Sequence, residues 1–188
     1  MSPMKIVVAG AALLLATGCQ LGPAPVPRSA SSAEPSATQP ASAPTPTPLP
    51  SDQVLASRTA AADQHYKLKI DLLAADREGR LVTVNYAVTV TEHDRAFGWT
   101  VGDAFSAVPS DTPDADGLYL VDKKNAKKHL VAKDVQGACA CTANTESVAI
   151  NTGQKVVFTA SFAAPPEDVT KVDVYIPLAG TFADVPLT

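Results

Sequence analysis

From about residue 64 the chain adopts a strict two-residue rhythm. Tyr66, Leu68, Ile70 and Leu72 alternate with Lys67, Lys69 and Asp71. One face is apolar and the other charged, the pattern of a half-buried strand. The polar run "DREGR" at 76–80 turns the chain. Val82, Val84, Tyr86, Val88 and Val90 then alternate with Thr83, Asn85, Ala87, Thr89 and Thr91. Valine and threonine are stiff at χ1 and suit a pleated surface. The stretch "AFGWTVGDAFSAV" at 96–108 is aromatic and punctuated by glycine, and reads as one irregular strand or two. "PSDTPDADG" reads as a loop, and "LYLVD" and "KKHLVA" flank "KKNA" as a hairpin. After a cysteine pair come "ESVAI", then "KVVFTASF", with Val156, Phe158, Ala160 and Phe162 on one face. "TKVDVYI" directs Val172, Val174 and Ile176 inward, and "TFADVPL" reads as an edge strand, because Pro186 lacks the N–H that a central ladder needs.

Seven to eight short strands with little helix predict an all-β fold, an immunoglobulin-like β-sandwich. A domain of about 125 residues buries roughly two-thirds of its unfolded surface, enough for a core without many staples. Trp99, the only tryptophan, reads as a core anchor between the sheets.

The rhythm is absent before residue 64. Residues 6–16 are apolar apart from Gly10, and Lys5 precedes them. The run is too short for a bilayer span of about 20 residues and fits the apolar region of a secretory signal peptide. It ends in "LLLATGCQLG", where small residues lead directly to Cys19. This resembles a bacterial lipobox, which implies a diacylglycerol on the Cys19 thiol and cleavage before that residue. Leucine is commonest three places before such a cysteine; Ala16 stands there and Leu15 lies one place further back. Two or three acyl chains, at roughly 0.8 kcal/mol per buried methylene, make a durable anchor. The expected organisation is a signal peptide over 1–18, a lipidated Cys19 and tether over 19–63, and a sandwich over 64–188. The expected location is the cell membrane, lipid-anchored on the extracytoplasmic side.

Residues 20–50 hold most of the 16 prolines and almost no large apolar side chain. Such a segment buries too little to offset chain entropy and reads as disordered. As polyproline II it reaches on the order of 90 Å. Residues 51–63 are alanine-rich and polar, and read as more tether or a short helix. A net charge of −4 without a basic, aromatic-interleaved stripe argues against nucleic-acid binding.

The closing half resembles a group of actinobacterial surface lipoproteins of unassigned function. The residues that carry this are Gly137, Cys139 and Cys141; Phe162 to Pro166; Asp168 to Val174; and Asp184 to Pro186. The match covers about the last fifty residues well and the earlier strands only in style. The resemblance implies an exported immunoglobulin-like domain without enzyme activity. It also implies an envelope or cell-wall protein as partner.

With Cys19 acylated, Cys139 and Cys141 remain, and an oxidising compartment favours their pairing. Two residues apart in a strand is near the upper limit for a disulfide, so the loop must bend, as Gly137 and Ala140 permit. A structural disulfide, a redox-active bond, thiolate binding of a soft metal such as Cu(I), and free thiols all stay open. His65, His93 and His129 show no close ligand spacing. "SDTPDADG" fails as a calcium loop, because Thr112 and Lys123 fall where acidic ligands belong. Lys123, Lys124, Lys127 and Lys128 read as a solvated hairpin tip that blunts a sheet edge, or as a dock for an anionic wall polymer. No motif for a catalytic triad, a resident metal or a cofactor appears. The first functional expectation is therefore a membrane-anchored lipoprotein displaying a non-catalytic binding or scaffolding domain. The alternative is an envelope redox or copper-binding protein acting through Cys139 and Cys141.

Overall fold

A computed structural model describes residues 53–188. Cys19, the lipobox, and the tether up to residue 52 lie outside the described residues. Among the described residues ten strands form: β1 (Ala56–Ala61), β2 (Tyr66–Glu78), β3 (Leu81–His93), β4 (Trp99–Thr100), β5 (Tyr119–Asp122), β6 (Lys127–Leu130), β7 (Ala149–Ile150), β8 (Lys155–Ala163), β9 (Lys171–Ile176) and β10 (Gly180–Pro186). One sheet has the order β1-β2-β3-β8 and the other β10-β9-β5-β6; β4 and β7 make a two-residue pair. Eight strands have four or more residues, and all pairings between named strands are antiparallel. The protein is an all-β sandwich. In the usual immunoglobulin order the second strand passes the chain to the opposite sheet. Here β2 and β3 first form a long hairpin within one sheet.

The alternation explains the core directly. Leu68, Ile70, Leu72, Val82, Val84, Tyr86, Val88 and Val90 are fully buried from the first sheet. Leu120, Val172, Val174 and Ile176 meet them from the second. Phe158 stacks on Tyr86 at 5.4 Å, Phe105 meets Tyr86 edge-on at 5.3 Å, and Trp99 meets Phe105 edge-on at 6.2 Å. This aromatic cluster adds geometric preference to area burial. Burial also pushes the Tyr86 phenol well above its ordinary range.

Two expectations are corrected. Residues 51–63 were expected as tether or short helix, yet Ala56–Ala61 is a strand in register with β2, Ala56 opposite Leu72 and Ala61 opposite Lys67. Folded chain therefore begins ahead of residue 64. The open edge of β2 supplies backbone partners that a weak alanine-rich pattern does not advertise. The aromatic stretch forms only the two-residue β4 and a short 3-10 helix, Gly102–Phe105, because it is wound to plug Trp99 and Phe105 into the end of the sandwich.

The two seams of the sandwich close differently. On one side the chain leaving β6 crosses to the edge of β8. Ala132 N–H donates to Ser161 O at 2.8 Å, Ser161 N–H to Ala140 O at 2.8 Å, and Thr142 N–H to Thr159 O at 2.9 Å. On the other side long side chains link β1 to β10 and β2 to the connection between β8 and β9. Arg58 donates to Thr181 O at 2.6 Å and lies 5.2 Å over the Phe182 ring. Arg77 donates to Pro165 O and Val169 O, each at 2.8 Å. Thr188 joins the free end of β2, accepting from Arg77 N–H at 2.7 Å and donating to Ala75 O at 3.2 Å.

Candidate functional site

The site lies on the first seam. After β6, residues 131–142 form a small hairpin. Lys133 pairs with Cys139, and Ala140 N–H donates to Ala132 O at 2.8 Å. Asp134 builds the turn: its carboxylate accepts from Gln136 N–H and Ala138 N–H, each at 2.9 Å. Gly137 sits there at φ +90°, a region that L side chains avoid. The returning arm carries both cysteines, and Cys141 pairs with Ala160 of β8. The Cys139 and Cys141 sulfurs lie at disulfide-bonding distance, with Cα atoms 5.2 Å apart. Both residues are partly buried against the core.

The loop before β5 folds back onto this arm. Ala115 N–H donates to Thr142 O at 2.8 Å and Gly117 N–H to Phe105 O at 2.8 Å. A Cβ on Gly117 would stand 2.7 Å from the Phe105 carbonyl oxygen, so only glycine permits the approach. Ser106 Oγ donates to Asp114 O at 2.7 Å. Thr145, fully buried, donates through its hydroxyl and its N–H to Pro113 O.

These bonds fix Asp114. Its Oδ1 accepts from Asn144 N–H at 3.1 Å, and its Oδ2 stands 3.7 Å from Cys139 Sγ. Oδ2 takes no nitrogen donor among the described residues. Asp116 points elsewhere, to Lys133 Nζ at 2.8 Å and Ala107 N–H at 2.7 Å. Burial alone would raise its pKa, but the Lys133 contact and the Ala107 N–H outweigh this and hold the carboxyl below its usual range. Asp116 in turn raises the Lys133 ammonium above its usual range, helped by the charge of Asp114. Among the described residues, Asp114, Cys139 and Cys141 are the one group whose side-chain atoms gather closely enough to hold a metal, all within 4.8 Å.

The other candidates disperse. His65 pairs with Asp94 at 2.8 Å, and His93 stacks near Tyr66 at 5.6 Å. Neither they nor His129 joins the cysteines. In the hairpin, Lys123 bridges Asp173 at 3.0 Å and Asp184 at 2.7 Å, Lys124 pairs with Asp168, and Lys128 caps the Tyr119 ring at 3.5 Å. Lys123 and Lys128 are tied to their own sheet, and Lys124 to the connection between β8 and β9. Asp114 beside the cysteines was not foreseen from sequence. It sits 25 residues before Cys139, inside the loop "SDTPDADG" that fails the calcium pattern at Thr112 and Lys123.

No family model, curated protein or solved structure matches the chain. The fold and site together define an all-β sandwich with a disulfide-distance cysteine pair and an adjoining carboxylate on one seam. Among the described residues no helix is long and apolar enough to cross a membrane.

Proposed function

We propose that the chain is a lipid-anchored, extracytoplasmic protein that presents a non-catalytic binding or scaffolding domain in the cell envelope. The observation that carries this reading is the order of the sequence. A short apolar run ends in "ATGC", a proline-rich tract follows, and folded chain begins near residue 56. Each part has a physical role in that scheme: export, acyl attachment at Cys19, reach, and a rigid display surface. The partner is an envelope protein or wall polymer, and the resemblance of the closing half to surface lipoproteins supports the same assignment. Cell fractionation tests it. Cys19→Ala should move the protein out of the membrane fraction while its domain stays folded. Retention of the variant in the membrane would overturn the anchor.

A second reading has a specific observation in its favour. Asp114 beside Cys139 and Cys141 assembles the donors that a redox or metal-binding role would use.

A further inference from the structure

We propose that Asp114, Cys139 and Cys141 form a thiol-gated site for a zinc-like divalent ion. The proposal deepens the second reading by naming a third ligand and a metal class, and does not depend on the lipid anchor.

Three features converge. The first is placement. The two sulfurs stand on one arm whose backbone is bonded on both sides, to Ala132 and to β8. The arm therefore holds its place without the S–S bond. The second is the orientation of Asp114. Asn144 N–H occupies Oδ1, which aims Oδ2 at Cys139 Sγ. Lys133, the adjacent cation, is taken by Asp116. The third is size. Zinc bonds thiolate sulfur at about 2.3 Å and carboxylate oxygen at about 2.0–2.2 Å, and its tetrahedral geometry sets two sulfurs about 3.7 Å apart. Cα atoms 5.2 Å apart allow that separation by rotation about the Cα–Cβ bonds. Two thiolates and a carboxylate supply three ligands and leave one position for water or a partner's side chain. The oxygen ligand also separates the metals. Cu(I) selects soft thiolates and thioethers, whereas zinc accepts the carboxylate.

The gate is thiol–disulfide exchange. A dithiol reductant attacks one cysteine sulfur as its thiolate, breaking the S–S bond and forming a mixed disulfide. The other cysteine sulfur leaves at that step as a thiolate; the reductant's second thiol then closes the reductant's own disulfide and expels the cysteine sulfur that was attacked. Two electrons pass from the dithiol to the cysteine pair, which becomes two thiols. Zinc then binds both sulfurs as thiolates, and the two thiol protons go to solvent.

The test uses the full chain in detergent, oxidised or reduced by a dithiol that is removed anaerobically before titration. Zn(II) is titrated against a chromophoric chelator, with Co(II) as the spectroscopic probe. The expected result is one Zn(II) per reduced chain, none per oxidised chain, and tetrahedral Co(II) bands with thiolate charge transfer. Cys139→Ser with Cys141→Ser should abolish binding. Asp114→Asn should keep the Asn144 contact and weaken Zn(II) by at least about tenfold, the loss that even an outer-shell partner causes. An unchanged oxidised-state unfolding curve for Asp114→Asn separates ligand loss from misfolding. Equal binding by Asp114→Asn and wild type, or equal binding by the oxidised chain, would overturn the proposal. Tight Cu(I) without Zn(II) would overturn it too, while leaving the second reading standing. Binding of neither metal by the reduced chain would overturn the proposal and leave only the redox half of the second reading.

Discussion

The two seams of this sandwich draw on backbone and side chains in different proportions. Where residues 131–142 meet β8, backbone N–H groups and carbonyls do the joining, as in a sheet ladder. Where β1 and β10 meet, the Arg58 side chain reaches across to Thr181 O, backbone bonds are confined to Thr188 at the free end of β2, and a groove of about 290 Å³ remains between Leu55, Leu72, Phe182 and Val185. Backbone joining fixes position without depending on long flexible side chains, which lose rotamer freedom when held. The cysteines and Asp114 lie on the first kind of seam. A site that must keep three ligand atoms in register needs that kind of support.

Substitutions at equivalent places should expose the contrast. Phe162 is fully buried on β8 beneath the cysteine seam. Phe162→Ala should cost about 3–5 kcal/mol by denaturant unfolding, the range for a buried ring that leaves a cavity. Phe182 borders the groove on the other seam, where water and side chains can adjust, so Phe182→Ala should cost measurably less. Equal losses would remove the asymmetry.

Arg77 should rank next. It is a charged donor to two well-placed carbonyls, and Arg77→Ala should cost about 1.5–3 kcal/mol. The cysteine pair should matter less to global stability. A ring closed over two intervening bonds of sequence removes little chain entropy, so Cys139→Ser with Cys141→Ser should cost about 1–2 kcal/mol. Hydrogen exchange is the sharper readout. The Ala140 and Thr142 amides should stay protected in that variant, because β8 and the hairpin hold them.

The smallest expected effect is electrostatic. The carboxyl of Asp116 titrates below its unfolded value, so the pair with Lys133 stabilises the fold above the ordinary carboxylate range. That contribution falls away as pH drops through the lowered folded pKa. Asp116→Asn should therefore differ from wild type at neutral pH and converge with it on acidification. A gap that widens in acid would contradict this sign.

Much of the fold was legible where alternation was strict. β3 reads inward at every second residue from Val82 to Val90, and each of those residues is fully buried. β9 behaves in the same way, and the "KKNA" turn falls between β5 and β6 as expected. In β2 the rhythm slips at a bulge after Leu72, and Ala75 takes the buried position. β1 escaped notice because its residues are mostly exposed and its register is held chiefly by backbone pairing to β2. The site was half legible. Spacing identified Cys139 and Cys141, and Gly137 marked the bend. Asp114 was hidden because tertiary bonds from Asn144, Ser106 and Thr142 bring its loop to the cysteines, and no local pattern records them.

The most direct test of the envelope assignment is the mass of the chain recovered from the membrane fraction and digested without reductant. The account predicts an N-terminal peptide that begins at an acylated Cys19. It also predicts a tryptic peptide of residues 134–155 lighter than its dithiol form by two hydrogens. A chain that retains Met1, with two free thiols in that peptide, would contradict both the anchor and the paired loop.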